Sequence, residues 1–237
     1  MHSAVVPDGE VVTDTGSVRS ATDKVTEAIT QGIRSGAFVP GQHLLEPDLT
    51  QRLGISRGSL RKALKHLAAA GIVTLNRFRG AYISTLDRQS VLDLLQVLEP
   101  LARLAARLAA TNCGSEEERT RMLAAASRIE RAGKVRDRSE YLEQRRRFYD
   151  TMIAISGNAE LARVMPLSRT DLFRAQIESV QSEVDRRRHA SGYSKIAKAI
   201  VAQDPGAADR AMHRHFRGTL ETIHVLPAQA FGLSEPA

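Results

Sequence analysis

Apolar residues recur every three or four positions along most of the chain, the spacing that lines one face of a helix. Val25, Ala28, Ile29, Gly32 and Ile33 predict a first helix that stops at Gly36, a residue suited to a left-handed cap. The run FVPG then turns the chain. Residues 43–83 predict a helix, a tight turn, a second helix and a short hairpin. Pro47 fits a first helical position, Gly54 lets the chain turn, and Ser56 is placed to cap a helix starting at Arg57. Leu60, Leu64 and Leu67 point that helix into a core until Gly71 ends it, and residues 73–75 and 81–83 read as two strands. From Asp87 a single stripe of Val91, Leu94, Leu95, Leu98, Leu101, Ala102, Ala105, Leu108 and Ala109 predicts a long helix, with a kink expected at Pro100. Further helices are predicted over 115–131, where Ser115 precedes three glutamates, then 137–156, 159–165, 167–187, 192–203 and 205–225. No strand pattern interrupts them.

The expected fold class is therefore mainly α: an N-terminal winged helix-turn-helix domain followed by an all-α helical bundle. Four regions are expected: a flexible arm over 1–20, the winged domain over 21–86, the bundle over 87–226 and a loose tail over 227–237. The first domain carries the chemistry of a DNA reader. Arg57 and Arg61, four apart on the first turns of a helix, share one face that can enter a major groove. Between the strands, Arg77 and Arg79 flank the hairpin tip beside Gly80, where they can reach phosphates or a minor groove. The charge favours the same partner: 34 Lys+Arg against 27 Asp+Glu give +7 and a pI near 10.0. Residues 21–85 hold nine cations against four anions, so most of the excess lies there. The single cysteine, Cys113, excludes an intramolecular disulfide and suits a reducing compartment. No run is long and apolar enough for a membrane span, so a cytoplasmic protein with no membrane partner is expected.

The run GIRSGAFVPGQHLLEPDLTQRLGISRGSLRKALKHLAAAGIVTLNRFRGAYIS resembles the GntR winged-helix regulators, matching their L-x-E, L-G-(I/V)-S-R-x-x-(L/V)-R-x-A-L and R-G-A-x-(V/I) elements without a gap. The resemblance implies that Arg57 and Arg61 read guanine, that Ser56, Gly58 and Ser59 contact phosphates, and that Gly80 sits at the wing. It also implies a homodimer on an inverted-repeat operator with a core like TNGTNNNACNA. Pro47 departs from the family, whose members often place an arginine there.

The bundle resembles the FCD ligand-sensing domain of the FadR branch, on VLEPLARLAARLAA, RRFYDTMIAISGNAELARV and YSKIAKAIVAQDPGAADRAMHRHF in order. Many members of that branch hold a metal on an aspartate, a histidine four residues later, a third ligand and a final histidine. Here those positions are Arg145, Tyr149, Tyr193 and His215, and the effector-contacting arginine of relatives is Leu95. A fixed guanidinium occupies the place of the ion, so no metal and no cofactor is expected. The replacement suggests a different ligand. Arg145 shares a largely apolar face with Tyr141, Phe148, Tyr149 and Met152, and an inward guanidinium needs an anionic or carbonyl partner. One reading is a carboxylate effector gripped by Arg145 and hydrogen-bonded by Tyr149, Tyr193 and His215. The others are a salt bridge to a core acid and an exposed arginine in the Arg145-Arg146-Arg147 run. His213 points away from the stripe that His215 joins, and Arg186-Arg187-Arg188-His189 reads as a solvated helix end.

These readings converge on a homodimeric transcription regulator, a repressor that binds double-stranded operator DNA and is released by a small organic acid. Enzymatic activity is not expected, because no nucleophile–base pair, glycine-rich phosphate loop or metal triad occurs. The alternatives are a DNA-binding dimer without an effector and a regulator responding to acyl-CoA.

Overall fold

The computed structural model describes residues 20–135, 137–178 and 180–232. The expected N-terminal arm lies almost entirely outside them, as do residues 233–237. Ser20 opens the first helix, α1 (Ala21–Ser35), with a reciprocal capping box to Asp23, and Gly36 closes it at φ 79°. Helices α2 (Glu46–Leu53) and α3 (Arg57–Ala69) follow, joined by a turn in which Gly54 takes φ 62°. Strands β2 (Val73–Asn76) and β3 (Gly80–Ile83) form the wing. A third strand, β1 (His43–Leu44), was not legible in the pattern. It pairs antiparallel with β3, His43 opposite Tyr82 and Leu44 opposite Ala81, giving the sheet order β1-β3-β2. Two residues are too short to show alternation, so only the partner strand reveals them.

The rest is helical, as the pattern predicts: α4 (Arg88–Asn112), α5 (Glu116–Ala132), α6 (Arg138–Ser156), α7 (Ala159–Val164), α8 (Leu167–Ile177), α9 (Glu183–Val201) and α10 (Pro205–Val225). Helix α4 runs through Pro100 for 25 residues. It packs on α6 and α10, while α5 packs on α6 and α9, and α9 on α10. One boundary differs from expectation. The helices predicted over 167–187 and 192–203 divide instead at 178–182, where Ser182 caps α9 by accepting from the Asp185 amide. Gly192 sits inside α9 and does not begin it. A Cβ there would meet Nδ1 of His215 at 2.5 Å, so the glycine marks a close approach between helices.

The two domains share more than a linker. Helix α1 packs on α3 in its own domain and on α6 and α8 of the bundle. Gln176 of α8 holds the connection from both sides: its Oε1 accepts from the Leu86 amide at 2.9 Å and its Nε2 donates to the Leu86 carbonyl at 2.7 Å. Residues 227–232, expected within a loose tail, are docked on this junction. A 3-10 turn at Ala228–Ala230 brings the Phe231 ring 4.4 Å from the Arg88 guanidinium carbon, and the Gly232 amide donates to Leu86 at 2.9 Å. Pro227 and Gly232 suggested mobility. Burying Ala230 and stacking Phe231 outweigh it.

Candidate DNA-reading face and sensor site

Helix α3 is anchored at its start by Ser56, whose Oγ accepts from the Ser59 amide at 3.1 Å. Leu60, Ala63, Leu64 and Leu67 bury one face. The opposite face is left to solvent: Ser56, Arg57 and Gly58 are exposed, Ser59 is half-buried, and the Arg61 side chain is 70% exposed. Glu46 at the start of α2 lies 3.4 Å from Arg61 Nε, close enough to hold the guanidinium over the helix. At the wing, Asn76 Oδ1 accepts from the amides of Phe78 and Arg79 at 3.0 and 3.1 Å, which folds the tip into a fixed turn. Arg77, Arg79 and Gly80 are all exposed. Gly80 takes φ 86°, and a Cβ there would come within 2.9 Å of His43 Nε2. Phe78 between the two arginines is 90% exposed, a feature the sequence reading passed over.

The four positions singled out in the bundle converge in space. The Arg145 guanidinium lies 4.9 Å from the Tyr149 ring centre, Tyr149 is 6.1 Å from Tyr193, and Tyr193 is 4.5 Å from His215. Arg145 is 1% exposed and points inward. Its Nη1 donates to Asp171 Oδ1 at 2.9 Å, so of the three readings open for this residue the internal salt bridge is present. Asp171 also accepts from Arg146 and lies 3.8 Å from Arg34 Nη1 of α1. Arg34 in turn pairs with Glu143 at 3.2 Å.

Further residues complete the cluster: His189, Arg174, Tyr141 and Thr219. His189, expected at a solvated helix end, is buried, as is Arg186, which pairs with Glu178 at 3.0 Å. The charge run misled because α9 turns every third or fourth member inward. Arg174 of α8 donates to His189 Nε2 at 2.6 Å and to Thr219 Oγ1 at 3.1 Å. An arginine can only donate, so Nε2 accepts and Nδ1 carries the proton toward Tyr141 Oη. Burial, reinforced by Arg174 and Arg145, pushes the His215 imidazole down to about 3, and burial and Arg174 hold His189 well below its ordinary value. Both rings are neutral near pH 7. Burial likewise raises the Tyr141 and Tyr149 phenols, which stay protonated.

A cleft of about 380 Å³ opens between α9 and α10 directly over His189 and His215. Its walls carry Arg188, Lys195, Arg214 and Arg217 against Asp185 and Glu221, an excess of positive charge at the entrance. The donor set beneath does not fit a divalent cation. Arg145 stands at one implied ligand position and the phenols of Tyr149 and Tyr193 at two others, and among the described residues no three His, Cys, Asp or Glu side chains converge as metal ligands.

Fold and surface together define a winged-helix DNA-binding regulator with a helical C-terminal domain. The FCD domain model matches residues 93–218, and that of bacterial regulatory proteins of the gntR family matches residues 21–83. The chain belongs to the GntR family of transcriptional regulators, in its FCD-containing class. It is similar to a probable D-xylose utilization operon transcriptional repressor of Paenarthrobacter nicotinovorans, 23% identical over 197 residues that cover 83% of this chain and 85% of the other. The repressor GlaR of Escherichia coli is 24% identical over 192 residues, covering 76% and 85%. In three dimensions the chain resembles E. coli McbR/YncC, with a TM-score of 0.76 at 16% identity over 87% of this chain and 98% of that one. No described helix is long and apolar enough to cross a membrane.

Proposed function

We propose that this protein is a homodimeric repressor of the FadR branch that binds an inverted-repeat operator and is released by a small organic acid entering the bundle. The observation that carries the DNA half is the solvent face of α3, which presents Arg57 and Arg61 from a helix start fixed by Ser56. Arginines so placed can grip guanine O6 and N7 bidentately, while Ser56, Gly58 and Ser59 lie where backbone phosphates would pass. Arg77, Arg79 and Gly80 at the wing supply contacts to the adjoining backbone. For the dimer, α4 offers Val97, 56% exposed, with half-buried Leu101, Leu104 and Leu108 along one stripe. A second copy would cover it.

For the effector, the polar cluster of Arg145, Tyr149, Tyr193 and His215 beneath a cationic cleft supports a small anion, and its polarity disfavours a long acyl chain. The packing of α1 on α6 and α8 gives such a ligand a physical route to the DNA-binding half. Selection of bound sequences from random DNA, with the oligomeric state measured by sedimentation, tests the reading. An inverted repeat bound by two protomers is expected. A monomer, or binding with no sequence preference, would overturn it.

A further inference from the structure

Three arginines are buried in the bundle, Arg145, Arg174 and Arg186, and among the described residues Arg174 is the one with no carboxylate. Arg145 is neutralised by Asp171 at 2.9 Å, although its Nε has no hydrogen-bond partner, and Asp171 is itself shared with Arg146. Arg174 is 5% exposed; among the described residues its hydrogen bonds go to a neutral imidazole and a hydroxyl, and its guanidinium carbon lies 5.4 Å from the Phe173 ring centre. Its Nε has no hydrogen-bond partner. The Tyr193 hydroxyl, on a side chain with no solvent exposure, has no partner in good hydrogen-bond geometry and lies beside the Tyr149 hydroxyl, itself a phenol and not a counter-charge. Tyr193 stands within electrostatic reach of the Arg145 and Arg174 guanidiniums, and its ring packs 5.3 Å from His189. A buried cation without a counter-charge is costly, and idle donors beside it add to the cost. An anion would relieve both.

The geometry points to Arg174, and not Arg145, as the anchor for a small carboxylate that enters between α9 and α10, replaces His189 as the guanidinium's acceptor and takes the hydroxyl hydrogen of Tyr193. This deepens the sensor reading above and rests on it. His189 and His215 line the cleft, so the imidazole now bonded to Arg174 can be reached from solvent. A neutral imidazole is a weaker acceptor for a guanidinium than a carboxylate, which offers two oxygens in the plane of the fork. Arg174 does not line the cleft and lies behind His189, so a carboxylate reaches it by displacing that imidazole. Gly192 lets the His215 ring sit against α9, since any side chain there would collide with it.

The test is thermal unfolding of the full-length protein titrated with acetate, succinate, citrate and inorganic phosphate, with operator release followed in parallel. Wild type should gain melting temperature with at least one carboxylate. Arg174→Met should weaken that carboxylate by at least about tenfold, equivalent to 1.4 kcal/mol, while melting no lower than wild type without ligand, because a repulsive charge has gone. Tyr193→Phe removes an idle hydroxyl, so it should leave the unliganded melting temperature unchanged or raised and still weaken binding. Full carboxylate response in Arg174→Met, or in Tyr193→Phe if the former does not fold, would overturn the Arg174 assignment and leave the acid-sensing reading standing. Absence of any carboxylate shift or operator release in wild type would overturn both. Stabilisation by phosphate alone would exclude a carboxylate as the ligand.

Discussion

Asp171 of α8 and Arg34 of α1 face each other with 3.8 Å between Oδ2 and Nη1, so one buried carboxylate joins the DNA-binding domain to the polar cluster of the bundle. The same carboxylate neutralises Arg145. Removing it leaves a fully buried guanidinium without a counter-ion, a loss of about 3–5 kcal/mol. Asp171→Asn should therefore lower the urea midpoint strongly, and Arg34→Gln, at a more exposed site, should cost no more than about 1 kcal/mol. Equal stability of Asp171→Asn and wild type would mean that the network is not needed by the fold.

The recognition helix gives a second expectation. Arg57→Ala and Arg61→Ala should each lose about 1–3 kcal/mol of discrimination between operator and scrambled DNA, with the dimer intact. Arg77→Ala and Arg79→Ala should weaken all sequences alike and reduce the salt slope by about 1 each. Binding isotherms at several salt concentrations separate the two classes, and unchanged operator affinity in Arg61→Ala would remove α3 from the groove.

Stability should fall with acid through the buried imidazoles. A histidine in the unfolded chain titrates near 6.5, whereas His215 is held down to about 3 by burial with Arg174 and Arg145 facing it. Between those values the unfolded state binds a proton that the folded state refuses, so stability is full above about pH 7 and declines as pH drops. At pH 5 His215 alone should cost about 2 kcal/mol, and His189, lowered in the same sense by burial, Arg174 and Arg188, adds to it. Urea unfolding at pH 7.5, 6 and 5 measures the slope, and His215→Gln should flatten it.

Elemental analysis checks the donor set. Dialysed protein should carry zinc, nickel and manganese only well below one ion per chain, since Arg145 brings a fixed positive charge to the cluster. One tightly held ion per chain, lost in His215→Ala, would refute this.

Short-range chemistry accounts for the parts of the fold that are legible in the chain. The DNA-reading half is written in short-range rules: a serine before Arg57, leucines at helical spacing behind it, and a glycine where the wing needs φ 86°. Each depends on residues within a turn or two, so the motif reads directly from the chain. In the bundle, the apolar stripes likewise set most of the helices, and family spacing named four residues that do meet in space. Partners were beyond reach. Arg145 could face a ligand, a core acid or solvent from its helical position alone, and Asp171, 26 residues later, settles that through a contact that no periodicity encodes. The run of charges ending at His189 read as surface because charge predicts exposure on average. Arg174, Tyr141 and Thr219 decide otherwise by packing around it or its partner. Gly192 looked like a helix start, yet the space it leaves is taken by His215 from another helix. Which face a residue occupies follows from backbone geometry. Whether its charge is paired, idle or buried depends on through-space distance and dielectric, and only the tertiary structure fixes those.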